Sequence, residues 1–173
     1  NITASGTSAT CYLSGVTHRS TGNATGLVNG AENDATKGII TFSGITTGET
    51  RGYFSGISYE LEGNATSCVN YGAINMAGKT GYTLHMGGIS ATFIAPGMSW
   101  TECYNRGKIT LSGEVGAASI TGSDKGADTF VGGLCELITA STEIRTFVRC
   151  GNYGDIEYTD TFKSANAVRS AGF

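Results

Sequence analysis

The stretch SGVTHRSTGNATGLVN at residues 14–29 returns as SGISYELEGNATSCVN at residues 55–70. Ser14, Gly15 and Gly22 map onto Ser55, Gly56 and Gly63, and Asn23-Ala24-Thr25 maps onto Asn64-Ala65-Thr66. Val28-Asn29 likewise maps onto Val69-Asn70. A chain that repeats in this way buries its core between neighbouring units, so most of its repeated residues serve stacking. Residues that differ between units are then the place to look for function.

Two motifs alternate along the chain. The first is C-x-N-x-G-x-I followed, two residues on, by an apolar residue. Its copies begin at Cys68, Cys103 and Cys150, and a fourth, earlier copy is split. That copy starts at Leu27-Val28-Asn29 and resumes at Gly38-Ile39-Ile40-Thr41-Phe42 after a polar insertion. The second motif is a small pair leading into an apolar alternation: Ser55-Gly56-Ile57, Gly87-Gly88-Ile89 and Gly132-Gly133-Leu134. Partial copies stand at Ser14-Gly15-Val16 and Ala171-Gly172-Phe173.

The alternations Ile40/Phe42, Ile74/Met76, Ile109/Leu111 and Ile156/Tyr158 have the period of two expected of half-buried strands. Ile57/Tyr59/Leu61 and Ile89/Ala91/Phe93 repeat it, whereas Leu134/Glu136/Ile138 breaks it with a glutamate. With 27 glycines, one proline (Pro96) and 14% charged residues, the chain favours strands and turns over helices. The expected fold is all-β: a right-handed parallel β-helix of about four irregular coils, three short strands to a coil. Residues 1–173 form a single repeat region whose two ends fall inside the pattern, as in a piece of a longer chain. Asn29, Asn70, Asn105 and Asn152 suit a left-handed corner or a ladder of stacked amides. The glycine two places later supplies positive φ or close packing. Cys68, Cys103 and Cys150 share a column with Leu27 and read as stacked core thiols rather than disulfides; the pairing of Cys11 and Cys135 stays open.

At C-x-N-x-G-x-I followed by G-G-[IL], the chain resembles the GLUG-type repeats of large secreted and surface proteins of bacteria, notably gut Bacteroidetes. The resemblance spans roughly residues 14–173. It implies a surface or adhesin-like β-helix and carries over no catalytic residue. Three or four copies, one of them split, are fewer than the family pattern.

Composition narrows the partners. A net charge of −3 without a basic stripe argues against nucleic acid. No apolar run is long enough to span a membrane. No CxxC pair marks a metal site, and no cofactor motif is present. His18 and His85 lie at different repeat positions without a nucleophile at a recognisable spacing. Glu60/Glu62 and Asp155/Glu157 each place two acids on one side of a strand, about 7 Å apart. That spacing would suit a glycoside hydrolase or calcium, but equivalent positions in other units carry no acids. Asn1, Asn23 and Asn64 begin N-x-T sequons, the last two repeat equivalents with a turn role, and Asp124–Asp128 looks like a loop tip.

The column between the repeated Asn and Gly holds Tyr71, Arg106 and Tyr153. Planar side chains stacked this way make a platform for sugar rings. The expected function is non-enzymatic: an extracellular or cell-surface scaffold that binds a glycan or a surface protein, within a larger surface assembly. A β-helix polysaccharide lyase or hydrolase, and a structural segment of a filament, are the alternatives.

Overall fold

The computed structural model describes residues 1–47, 51–92, 97–116, 128–136 and 144–172. Phe93, Pro96, Ile138, Asp124 to Ala127, Phe173 and most of the two later insertions lie outside the described residues. The chain is a parallel β-helix: four full turns and the first half of a fifth. Every pair of neighbouring strands is parallel, and each strand pairs with its counterpart one turn away.

The turn has six short strands among the described residues, not three. The first sheet stacks Ile2–Ala4, Ile40–Phe42, Ile74–Met76, Ile109–Leu111 and Ile156–Tyr158. The second stacks two-residue strands such as Lys79–Thr80 and Glu114–Val115. The third stacks Cys11–Ser14, Gly52–Ser55, Leu84–Gly87, Thr129–Gly132 and Val168–Ala171. The fourth pairs Thr17–Ser20 with Ser58–Leu61 and continues through single bridges from Ser58 to Ser90 and from Ser90 to Cys135. The fifth includes Ala65–Thr66 and Ser99–Thr101, and the sixth stacks Val28–Asn29, Val69–Asn70, Tyr104–Asn105 and Gly151–Asn152. Two-residue strands are too short to show periodicity, which is why half of the sheets were invisible as separate elements.

The interior has two apolar lobes. Ile40, Phe42, Phe54, Ile74, Met76, Leu84, Met86, Ile109 and Leu111 fill one. Ile57, Leu61, Cys68, Ile89, Trp100, Cys103 and Leu134 fill the other.

The asparagines form a continuous amide ladder. Asn29 Nδ2 donates to Asn70 Oδ1 at 2.8 Å, Asn70 to Asn105 at 2.7 Å, and Asn105 to Asn152 at 2.7 Å. The same Nδ2 atoms also donate to the carbonyls of Gly38, Gly72, Gly107 and Gly154. Opposite each amide stands the second residue of the small pair. A Cβ on Gly15, Gly56, Gly88 or Gly133 would sit 2.2–2.5 Å from the Cγ of Asn29, Asn70, Asn105 or Asn152. The two sequence motifs are therefore two halves of one contact. The left-handed corner is not at the asparagine but in the column just before the cysteine. It holds Gly26, Ser67, Glu102 and Arg149, with φ between 50° and 64°. Three non-glycine residues tolerate that strained region. Their side chains pair across turns, Ser67 with Glu102 and Glu102 with Arg149. The glycine after each asparagine serves close packing: a Cβ on Gly72, Gly107 or Gly154 would lie 2.0–2.1 Å from a backbone oxygen of the turn before.

Candidate functional site

Tyr71, Arg106 and Tyr153 follow the asparagine ladder and project from the same corner on successive turns. In the first turn this column is Gly30, in the left-handed region at φ 84°, and the polar insertion leaves the helix there. It folds back on itself through the bridge between Ala31 and Asp34. Asp34 Oδ1 accepts hydrogen bonds from the backbone N–H and hydroxyl of Thr36. Those bonds hold the Asp34 carboxyl below its usual range, the hydroxyl contributing most. Loop and column together enclose a groove of about 430 Å³, lined by Ala31 to Ala35, Tyr71, Arg106 and Tyr153.

Arg106 sits centrally. Its guanidinium carbon lies 5.4 Å from the Tyr153 ring centroid and 6.0 Å from that of Tyr104. Tyr153 is 69% exposed and folds back over Gly151, whose missing side chain leaves room for the ring. Arg106 reaches Glu32 at 3.8 Å, with both side chains about half exposed. Such an exposed pair contributes at most about 1 kcal/mol, so a ligand can displace it. The groove thus combines aromatic faces, a guanidinium and two carboxylates on an open surface.

A second cleft, of about 220 Å³, opens on the third and fourth sheets. Arg51, Tyr53, Tyr59, Glu60, His85, Thr92 and Glu136 line it. The reading from sequence gave His85 no role and left Glu136 without a face. The structure brings them together: His85 Nδ1 lies 2.8 Å from Glu136 Oε1, with side chains 9% and 3% exposed. Despite that distance, neither imidazole nitrogen nor Glu136 Oε1 has a directional hydrogen-bond partner among the described residues. The contact is close in distance but out of line for a hydrogen bond. Each buried polar atom left so costs about 1–3 kcal/mol.

His85 is also one rung of an aromatic stack. Tyr12 and Tyr53 stack at 5.1 Å, Tyr53 and His85 at 4.8 Å, and His85 and Phe130 at 5.3 Å, each within 11° of parallel. Arg169 closes the series 5.2 Å from the Phe130 centroid. Tyr59 meets Tyr12 and Tyr53 edge-on. The signal was available: Tyr12, Tyr53, His85, Phe130 and Arg169 each stand two places before the small pair.

The dyad makes a stability prediction. Replacing His85 with Phe keeps the stack but leaves the Glu136 carboxylate buried without its partner. We expect His85→Phe to cost about 2–3 kcal/mol in urea unfolding, the upper part of the range for stranding a buried polar group. Adding Glu136→Leu should recover at least half of that loss. A single variant as stable as the parent would show that the pair is not coupled.

The remaining candidates have structural partners. Arg19 binds both Glu60 and Glu62, and Lys108 binds Glu157. The Asn1 side chain bonds Thr36 and Ile39 across the turn. Asn23 accepts from the Asn64 N–H, and Asn64 from the Ser99 N–H. None of the five cysteines is joined in a disulfide among the described residues. Cys68, Cys103 and Cys150 stack in one column. Cys103, between the others, has its thiol pushed up by hydrogen bonding with Cys150 and Cys68 and then by burial. Among the described residues no group of three His, Cys, Asp or Glu side chains converges as metal ligands. Among them, too, no helix is long and apolar enough to cross a membrane.

Comparison with family models, curated proteins and solved structures yields no match.

Proposed function

We propose that this chain is a non-enzymatic binding module: a rigid β-helix that displays a saccharide-binding groove on one corner. The reading rests on one observation. Tyr71, Arg106 and Tyr153, which differ between turns while the frame around them repeats, line a single groove with Glu32 and Asp34. Tyrosine faces stack on the apolar faces of sugar rings, while the guanidinium and carboxylates hydrogen-bond ring hydroxyls. The backbone beneath is held by the asparagine ladder, so little ordering entropy is lost when a ligand docks. A glycan at a cell surface is the partner that suits an open, polar, aromatic groove on a solenoid. Placement outside the cell or on its surface agrees with the resemblance to GLUG-type repeats.

The test is a glycan array with the parent chain and a Tyr71→Ala/Tyr153→Ala variant. Both rings lie toward the surface, so the variant should fold with an unchanged far-UV CD spectrum. Loss of both stacking faces should weaken binding by at least about tenfold, at roughly 1 kcal/mol or more for each ring. Equal binding by the two chains would remove the groove as the site.

A further inference from the structure

We infer that the cleft around His85 and Glu136 is a second ligand site, one that takes the carboxylate-bearing ring of an acidic sugar. The inference does not depend on the Tyr71–Arg106–Tyr153 groove, which lies on a different sheet corner.

Three observations converge. First, among the described residues three buried polar atoms of side chains that line the cleft lack directional partners: both His85 nitrogens and Glu136 Oε1. Native folds leave few such atoms, and those they leave call for a ligand, a water or a function. A sugar hydroxyl, donor and acceptor at once, suits an imidazole nitrogen beside a carboxylate oxygen.

Second, the cleft has aromatic walls. Tyr53 and Tyr59 line it, their rings held at 4.8 Å in a T-shaped pair. The Tyr59 hydroxyl is pushed up to about 12, by burial first and then by the Glu60 carboxylate. It therefore stays protonated and able to donate to an anion.

Third, Arg51 brings a guanidinium to the cleft. Its guanidinium is held charged chiefly by its hydrogen bond with Tyr53. Among the described residues no carboxylate closes an ion pair with it, since Glu60 is bound by Arg19 at 2.9 Å and Glu136 faces His85. A guanidinium set beside an aromatic wall favours a planar carboxylate, which it grips with two parallel N–H bonds. A water would satisfy His85 and Glu136 but would leave Arg51 and the aromatic walls without a role. A neutral sugar would offer Arg51 hydroxyl oxygens but no opposite charge, the weaker of the two partners. The volume, about 220 Å³, admits one ring rather than an extended chain.

The experiment follows the side-chain imidazole resonances of His85 by NMR. Sodium glucuronate and sodium galacturonate are titrated into the full chain, with glucose and galactose as neutral controls. Saturable shifts with the acids and weaker or absent shifts with the neutral sugars are expected. Arg51→Gln should weaken the acid by about tenfold or more, and Arg51→Lys, which keeps the charge but loses the two parallel N–H bonds, should restore only part of that loss. Arg51 is exposed, so both variants should fold. The Tyr71→Ala/Tyr153→Ala chain should bind the acid as the parent does, which separates this site from the groove. Absence of a saturable shift, equal response to neutral and acidic sugars, or no effect of Arg51→Gln would each overturn the proposal.

Discussion

Asn105→Ala should destabilise the fold by about 4–5 kcal/mol, the sum of several buried polar groups stranded at once. Asn105 is fully buried and occupies the middle of the ladder. Its Nδ2 donates to Asn152 Oδ1 and to the Gly107 carbonyl, while its Oδ1 accepts from Asn70. Alanine removes all three bonds and leaves the Asn70 amide and the Gly107 carbonyl buried. One N–H of Asn70, the Asn152 oxygen and the Gly107 carbonyl lose a partner together. The ladder also predicts position dependence. Asn152 stands at its last rung, is half-buried, and among the described residues donates only to Gly154 O. Asn152→Ala should therefore cost about half as much or less. Urea titrations with matched m-values would measure both. Equal costs at the two rungs would mean that the amides act singly rather than as a connected series.

The ladder shows what kind of information a repeat carries. Its members were legible because identical residues recur at fixed places in the C-x-N-x-G-x-I frame, and a recurring buried amide has few uses other than bonding its own copy. The Tyr71–Arg106–Tyr153 column was legible as the variable place inside an invariant frame. Its acidic partners Glu32 and Asp34 were not, because nothing in the insertion's sequence says that it folds back over later turns. That depends on the bridge between Ala31 and Asp34 and on the left-handed Gly30.

The His85–Glu136 pair was hidden for a different reason. His85 stands on the Leu84–Gly87 strand and Glu136 a turn later, just past the Cys135 bridge, where it breaks a core alternation. Leu134 and Cys135 are both buried, so the chain leaves strict alternation there and Glu136 reaches out to the stack. Aligning the turns on the small pair, rather than on the cysteine, puts His85 level with Tyr53 and Phe130. It does not supply Glu136, whose counterparts in earlier turns, Tyr59 and Ala91, are not acidic.

The link between the two motifs leads to the second large effect. Gly88→Ala adds one methyl group and should still cost at least about 4 kcal/mol, beyond the usual range for overpacking. The new Cβ would lie 2.1 Å from the Gly133 carbonyl oxygen and 2.3 Å from Asn105 Cγ. Neither neighbour can give way. The oxygen belongs to the backbone of the next turn, and the amide is fixed by Asn70 and Asn152 on either side. Relief requires the turns to separate or the ladder to break, and both undo the packing that makes the solenoid continuous. Gly22→Ala is the matched control. Its Cβ meets nothing within 4 Å, so the same chemical change should stay within about 0.5 kcal/mol of the parent. If Gly88→Ala unfolded at the same urea concentration as Gly22→Ala, the small pair would not be the seat of the asparagine ladder. The coincidence of the two motifs in sequence would then need another cause.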